Sequence, residues 1–437
     1  MPTEPSIASD EEFIQTVLKQ VEEQLRRSLS EGKPQTLDEI EKEVGEIGAE
    51  ITRALQAEKL RKRGNGYCGS FRGCSCGGSA RFRGFFTRQV TTLHGRSGIT
   101  RAYYYCPVCK AGLHPLDSDL GVADEGHSLG VRSLLARLSC YLPYRVAAKE
   151  AELLRNIELS HSTVQRVSLQ AGEQLIRDWK QSQSDLWAER LPDPERRVFQ
   201  LHLTSDGVMV NVGKEWREAK LGIAYERGAC GGVERIGYYS TLANSSEFGK
   251  YWRTLGYKMG AGKCRQLAVV ADGAEWIWME VGKYFPTSIQ ILDYYHAVEH
   301  LWVLAHSYFG EGSKEAADWM ERQKSLLLKD KIAEVIAEIG AWTFSSESKS
   351  AINQRELAYF RKHEHRMQYK TFRDKGLHIG SGVAEAGCKA TVQARMKGTG
   401  MRWEHRGAEA MLKLRAAWCS EQNTDFADII RRADNSA

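Results

Sequence analysis

Hydrophobic positions recur at helical spacing near the start of the chain. Ile, Val and Leu alternate with Glu, Lys and Arg through residues 11–60, which predicts two amphipathic helices joined near Gly32 to Pro34. After residue 62 the pattern changes to short segments between glycines and cysteines, such as "RFRGFFTRQVTTL" and "ITRAYYYC", which are typical of strands. We therefore expect an N-terminal helical region at 1–62 and a small β module at 63–126.

Helical spacing returns over residues 127–192. It is interrupted at Pro143 and again at "NIELSHS", and Pro192 and Pro194 then indicate a linker. A helix, a turn and a second helix are the natural interpretation of "YRVAAKEAELLRNIELSHSTVQRVSLQAG". In a helix-turn-helix motif, Ser160 or Ser162 would cap the second helix. The alternative is an ordinary pair of helices in a helical subdomain.

The third pattern covers residues 197–420. The segments "RVFQLHLTSDGVMVNV", "EAKLGIAYE" and "RIGYYSTL" predict three strands of an antiparallel meander. Strand and helix patterns then alternate through "CRQLAVVADG", "AEWIWMEVGKYF", "SIQILDYY" and "HAVEHLWVLAHSYF", which indicates an α/β sheet. Residues 313–372 look helical throughout and predict a helical insertion. A final helix is expected from about Gly382 to Lys397.

Charge is spread unevenly over the 437 residues. Residues 1–60 hold 14 acidic and 7 basic side chains, whereas the segment from Arg61 to Lys110 holds ten Lys or Arg and no Asp or Glu. Such a density favours a phosphate backbone as partner, although a solvated basic face is the plain alternative. The acidic N-terminus lacks the apolar run of a signal peptide, and no stretch of about 18 apolar residues could span a bilayer. We expect a soluble, cytoplasmic protein with no membrane partner.

Five of the ten cysteines crowd into 42 positions. Cys106 and Cys109 form a C-x-x-C knuckle, and Cys74 and Cys76 precede it by about thirty residues, so four thiolates can close a tetrahedral structural zinc site. Because C-x-C is tighter than the usual knuckle, Cys68 is kept as an alternative ligand. Unpaired core cysteines are the competing interpretation.

Three acidic residues stand beside apolar segments at expected strand or helix ends. Asp206 follows "HLTS", Asp272 follows "VVA", and Glu385 lies in "GSGVAEAGCK". An Asp that ends a hydrophobic strand before Gly is placed at a sheet edge, where it can meet the carboxylate of a neighbouring strand. Bridging carboxylates are what two Mg²⁺ (or Mn²⁺) ions require. The alternatives are Asp-Gly turns and, for Glu385, a surface pair with Lys389.

The segment after the second Asp strand carries a further motif. Asp293 and His296 stand at a strand-to-helix junction and could border an active site. The same helix contains His296-Ala-Val-Glu299-His300, which matches the H-x-x-E-H motif of inverted zinc metalloproteases. A protease would explain neither the basic cysteine module nor the two Asp strands.

Together these segments resemble the ISKra-type DDE transposases of bacterial insertion sequences. The resemblance rests on "YYYCPVCKAGLHPLDSDLG", "TSDG", "VVADG", "LDYYHAVEHLW" and "GSGVAEAGCKATVQARMKGTGMRW" and spans roughly residues 65–420. It implies an RNase H-like core with a helical insertion, the acidic triad Asp206, Asp272 and Glu385, and an Asp-x-x-His signature at Asp293 and His296. The sequence departs from the family pattern at the C-x-C pair.

The resemblance implies Mg²⁺-dependent cleavage and strand transfer on double-stranded DNA, in a nucleoid-associated bacterial protein. We expect Gln165 and Arg166 of the helix-turn-helix to enter a groove, and a basic cluster after the catalytic Glu to contact phosphates near the cut. That cluster comprises Arg395, Lys397, Arg402 and Arg406. Trp403 could stack on a base or lie in the core. Two DNA ends must be held together, so we expect a homo-oligomer. A zinc-containing DNA-binding regulator without catalysis is the alternative function.

Overall fold

A computed structural model describes residues 10–30, 36–122, 126–194, 198–228, 232–344, 346–420 and 424–435. The chain divides into two compact units. The first comprises Met1–Val167 with Phe426–Ala437, and the second comprises Ser168–Asp425. None of the described helices combines the length and apolarity needed to cross a membrane.

Two helices open the first unit, as the hydrophobic spacing predicts: α1 (Asp10–Ser30) and α2 (Leu37–Lys62). Thr36 and Glu39 start α2 with a capping box. The side chain of Thr36 accepts from the Glu39 N–H at 3.4 Å, and Glu39 accepts from the Thr36 N–H at 2.8 Å. The predicted junction at Gly32 to Pro34 lies outside the described residues.

A four-stranded antiparallel sheet follows α2, in the segment for which the sequence predicts strands. Its strands lie in chain order: β1 (Phe71–Gly73), β2 (Ser79–Thr92), β3 (Gly95–Tyr105) and β4 (Gly112–Leu113). The β2–β3 hairpin is paired from Arg81 opposite Tyr105 to Thr92 opposite Gly95. Short helix α3 (Pro115–Leu120) closes the module, and its Asp117 forms ion pairs with Arg88 and Arg101.

Three helices complete this part of the chain: α4 (Leu129–Tyr141), α5 (Tyr144–Arg155) and α6 (His161–Trp187). Both interruptions fall where the sequence predicts them. Asn156 ends α5 with a φ of 52°, and Ser160 accepts from the Thr163 N–H at 3.2 Å to begin α6. The boundary between the two units falls within α6, after Val167. The C-terminal helix (Phe426–Asn435) packs on α4, where Asp434 binds the buried Arg132 at 2.7 Å.

A five-stranded mixed sheet forms the centre of the second unit. Its strands are β5 (Gln200–Val212), β6 (Glu215–Arg227), β7 (Val233–Thr241), β8 (Gln266–Ala271) and β9 (Ile289–Leu292). The order across the sheet is β7-β6-β5-β8-β9. Strands β5 to β7 form the predicted antiparallel meander, while β5, β8 and β9 are parallel neighbours. The α/β class expected from the sequence is therefore confirmed.

Helices surround this sheet and supply the rest of the core. They are α7 (Ser245–Met259), α8 (Glu275–Tyr284), α9 (Tyr294–Phe309), α10 (Lys314–Leu327), α11 (Ile332–Gly340), α12 (Glu347–His363), α13 (Tyr369–Asp374), α14 (Gly382–Gly387), α15 (Ala394–Met396) and α16 (His405–Cys419). Helix α7, which the hydrophobic pattern did not predict, buries Phe248 and Trp252 against the strands. Helices α10 to α13 account for the predicted helical insertion. One π turn, Cys388–Gln393, joins α14 to α15.

Candidate functional site

Three aspartates stand at the same level of three neighbouring parallel strands. Leu203 pairs with Val269, and Asp206 and Asp272 each lie three residues beyond these partners. Ala271 pairs with Leu292, and the next residues along the two strands are Asp272 and Asp293. Each residue of a strand adds the same length, so residues that are equally far from paired positions lie at the same height. The three aspartates therefore lie at one edge of the parallel part of the sheet.

Asp206 reaches this edge in a way that the sequence did not foresee. The expectation that Asp206 ends its strand is wrong, because β5 continues to Val212 and Asp206 pairs with Leu221 of β6. The neighbouring strand β8 does stop, at Ala271. Asp206 therefore lies within a strand, at the point where its parallel neighbour ends.

Asp272 lies in an electrostatic environment set by its burial and its neighbours. Burial raises the pKa of Asp272, and the nearby charges of Asp206 and Asp293 raise it further, against the opposing effects of the Ala274 N–H and of His296. The Ala274 N–H donates to Asp272 at 2.9 Å. Asp272 is half-buried beside two other carboxylates, and a bound divalent cation would reduce the repulsion between their charges.

Asp293 holds two segments of chain together. One of its oxygens accepts from the N–H groups of Tyr295 at 2.7 Å and His296 at 3.4 Å and so caps α9. The other oxygen accepts from the Ser381 N–H at 3.0 Å and from the Ser381 hydroxyl. Ser381 stands at the N-cap position of α14, but its hydroxyl binds Asp293 instead of capping the helix.

Glu385 lies one turn into α14 and points outward. Its side chain is 69% exposed and accepts from the Lys389 ammonium at 2.6 Å, which is the surface pair that the sequence offered as an alternative. Regular helical spacing would place Glu385 on one face with Cys388, Val392 and Met396, but those three side chains are buried. The π turn that begins at Cys388 changes the residues per turn, so positions before and after it no longer share a face.

Cys388, at the end of α14, interacts with Asp206. Burial raises the pKa of the Cys388 thiol, and the charge of Asp206 and a hydrogen bond to Asp206 add to the effect. Within the described ranges, the acidic edge does not bring three ligand atoms within 4.8 Å of one another. The acidic side chains are therefore neighbours, but their oxygen atoms are not close enough together to bind one metal ion as they stand.

The four predicted cysteine ligands do converge. Within the described ranges the sulfurs of Cys74, Cys76, Cys106 and Cys109 lie within 4.8 Å of one another and can hold a metal such as zinc. The Sγ–Sγ distance is 3.6 Å from Cys74 to Cys109 and 3.7 Å from Cys76 to Cys106. A tetrahedron with Zn–S bonds of about 2.3 Å has edges of roughly 3.8 Å, so the spacing fits zinc. Cys68 is left outside the group.

Two tight turns create this spacing. The Gly77 N–H donates to the Cys74 carbonyl at 2.9 Å in the first turn, and Cys106 pairs with Ala111 at 2.9 Å in the second. A side chain on Gly78 would meet Val108 at 3.0 Å and the Cys106 sulfur at 3.2 Å. The hydrogen bond from the Cys76 backbone is the largest of the effects that lower the pKa of Cys74 to about 7, which favours the thiolate that binds metal.

The predicted DNA contacts of the helical motif lie on the surface. Gln165 and Arg166 are both exposed in the second turn of α6, on the side opposite the buried Val164 and Val167. A side chain of this helix can therefore reach a ligand without rearrangement of the core.

The basic cluster after Glu385 is divided by burial. Arg395 is buried, its guanidinium lies 4.9 Å from the Trp403 ring centre, and it donates to Met401 at 3.5 Å. Trp403 is also buried and binds the Met396 carbonyl at 3.2 Å, so it occupies the core position that the sequence left open. Lys397, Arg402 and Arg406 are exposed, and Arg406 pairs with Glu173.

Two groups near the aspartates and the histidine motif, Tyr359 and Glu356, come from α12, where no motif pointed to them. Tyr359, from α12, lies so near Gly273 that a side chain there would meet its ring at 2.3 Å. His300 stacks on Tyr359 at 3.8 Å, and its Nδ1 lies 2.5 Å from Glu356. The sequence shows the H-x-x-E-H match but gives no signal for its partners, which lie more than fifty residues away.

Comparison with known proteins shows which family the sequence belongs to. The model of the uncharacterised protein family UPF0236 matches residues 81–427. A "UPF0236 protein in vanSb 3'region" from Streptococcus gallolyticus is 25% identical over 353 residues, which are 76% of this chain and 72% of that protein. The matched segment contains the three aspartates, the second cysteine pair and the histidine motif. The chain therefore belongs to the UPF0236 family.

Proposed function

We propose that this protein binds DNA and cuts and joins phosphodiesters with divalent metal at Asp206, Asp272 and Glu385. The observation that carries the proposal is the shared level of Asp206 and Asp272 on adjacent parallel strands. Two carboxylates so placed are suited to bridging metal ions, and a metal held there would activate a water and stabilise the leaving 3′-oxygen.

The surrounding fold supports the same proposal. The sheet has an antiparallel meander followed by parallel strands, as expected for an RNase H-like core. The inserted helices α10 to α13 lie between Asp272 and Glu385 in the chain. These features are those implied by the resemblance to ISKra-type DDE transposases. Strand transfer, as distinct from cleavage alone, rests on that resemblance.

Glu385 is close in sequence to the groups that meet the aspartates. Ser381 binds Asp293 and Cys388 reaches Asp206, so the segment that carries Glu385 is attached to the acidic edge at both ends. To bind the metal, the Glu385 side chain would first have to break its ion pair with Lys389. An exposed pair four residues apart contributes little to stability, so this exchange has a low cost.

The β module offers a surface for the DNA. Arg72, Arg81 and Arg83 are exposed on its strands, beside Phe85 and Phe86, which are 37% and 52% exposed. Arginines would contact phosphates, and the aromatic rings could stack on unpaired bases. Arg88 and Arg101 of the same hairpin bind Asp117 and are expected to serve the fold.

The decisive experiment incubates the full chain with DNA taken from both flanks of its own coding sequence, with Mg²⁺ or with EDTA. We expect Mg²⁺-dependent nicks and joined products, which Asp272→Asn abolishes while DNA binding is retained. Asp318→Asn, a change at an exposed residue of α10, serves as the matched control and keeps activity. Equal cleavage by Asp272→Asn and the unchanged chain would reject the proposed site.

A DNA-binding regulator without catalysis is the second candidate. The outward ion pair of Glu385 with Lys389 favours it, because that pair leaves the acidic edge without its third ligand. Binding to DNA with no cleavage under Mg²⁺ or Mn²⁺ would support this alternative. Cleavage without joined products would instead indicate a nuclease.

A further inference from the structure

Two histidines of α9 turn their ring nitrogens toward each other beside the acidic edge. His296 and His300 are one helical turn apart, and their Nε2 atoms are separated by 3.3 Å. Their side chains are 35% and 24% exposed, so neither histidine is fully buried in the core. We call these two residues the histidine pair.

The carboxylates around the pair fix which nitrogen carries hydrogen. His300 Nδ1 lies 2.5 Å from Glu356, which is buried and also accepts from Arg355 at 2.6 Å. Glu356 is thus a carboxylate that can only accept, and His300 Nδ1 is the donor.

His296 has a similar arrangement on its other side. Its Nδ1 lies 3.3 Å from a Glu299 oxygen, which favours hydrogen on Nδ1. With hydrogen on both Nδ1 atoms, the two Nε2 atoms present lone pairs to each other across 3.3 Å. Two facing acceptors repel unless a proton or a cation lies between them.

We infer that the histidine pair binds a zinc-like divalent cation through the two Nε2 atoms. Two ligands at Zn–N distances of about 2.0–2.1 Å in a tetrahedron are roughly 3.3 Å apart, which matches the observed separation. Carboxylates that receive the other ring N–H are the usual support of metal-binding histidines. Imidazole ligands select zinc and similar transition metals over magnesium.

A tetrahedral cation needs further ligands besides the two histidine nitrogens. Two protein nitrogens leave open positions for water or a phosphate oxygen. Asp272 interacts electrostatically with His296 and can supply a third ligand through a bridging water, since no third His, Cys, Asp or Glu ligand atom of the described residues groups with the pair within 4.8 Å. The Tyr359 hydroxyl is buried and makes no hydrogen bond with the described residues, so it can donate to a bound water. This cation is additional to the one that the four cysteines can hold, and it does not depend on the proposed cleavage of DNA.

The test counts zinc on the full chain. Metal-free protein is titrated with zinc by calorimetry, and bound zinc is measured by atomic emission after excess metal is removed. We expect two zinc ions per chain, and one for His296→Gln. His306→Gln, an exposed histidine farther along α9, is the matched control and keeps two.

Cobalt titration provides a second readout. Cobalt at the cysteines gives thiolate charge-transfer absorption, whereas cobalt at the histidine pair adds only ligand-field bands, which His296→Gln removes. One zinc per chain for the unchanged protein would overturn the inference, as would two for His296→Gln. One zinc per chain would mean that a proton, and not a cation, lies between the two rings. Because the unchanged protein decides this by itself, a folding defect in the variant does not obscure the result.

Discussion

The Ser381 hydroxyl and N–H both donate to one carboxylate oxygen of Asp293, at the end of β9. Asp293 is buried, and Ser381 stands at the start of α14, the helix that carries Glu385. The pair therefore links the strand edge that holds the aspartates to the segment that would supply the third acidic ligand.

Ser381→Ala should loosen that link without unfolding the protein. Hydrogen bonds to charged groups contribute about 1.5 kcal/mol or more, so we expect a loss near that size in the free energy of unfolding. Amide hydrogen exchange should quicken mainly in residues 382–396. Ser348→Ala, at an exposed position of α12, is the control. Unchanged exchange in residues 382–396 would contradict the linking role.

Cys106→Ser should remove the metal of the β module. Cys106 is buried and its sulfur belongs to the four-cysteine group, and structural zinc contributes strongly to the folding of small modules. We expect loss of one bound zinc and a lower melting temperature. Cys68→Ser should leave both unchanged, because Cys68 instead contacts Gly66 and Arg72. Zinc content and circular dichroism check the pair of variants.

His202 should make the protein sensitive to acid. Burial, with smaller effects from the charges of His378 and Arg227, lowers the pKa of His202 from 6.5 to about 3. The folded protein thus disfavours the charged form, so stability is full above pH 6.5 and falls as the pH drops toward about 3. One extra proton taken up on unfolding gives a slope of up to about 1.4 kcal/mol per pH unit.

Denaturant unfolding of the unchanged protein and of His202→Gln over this pH range measures that contribution. The variant should lose stability less steeply on acidification, whatever its stability at neutral pH. Parallel curves for the two proteins would show that His202 does not titrate on unfolding.

Arg81→Ala with Arg83→Ala should weaken DNA binding through the β module. Removing one phosphate contact reduces the slope of log affinity against log salt by about 0.9, so the double variant should reduce it by roughly 1.8. A charge-matched control replaces Lys314 and Lys349, which are exposed on the inserted helices. Fluorescence anisotropy on a duplex at several salt concentrations measures both. An equal effect in the control would indicate a general charge effect only.

The sequence by itself determined the features that depend on neighbours along the chain. Strands β2, β3 and β5 to β9 were predicted because short apolar and aromatic segments bounded by turn residues are a local property of the sequence. The cysteine ligands were predicted because each pair lies within one turn. Membership of an α/β class followed from the order of strand and helix patterns.

Only the tertiary structure decided which side chains meet. Register between β5, β8 and β9 brought three aspartates to one level, and the π turn after Gly387 left Glu385 in a surface pair. Packing buried Arg395 under Trp403, although Lys397, Arg402 and Arg406 of the same basic cluster are exposed. His300 met Glu356 across 56 positions of the chain. Such contacts depend on how distant elements pack, and no local pattern of residues contains that information.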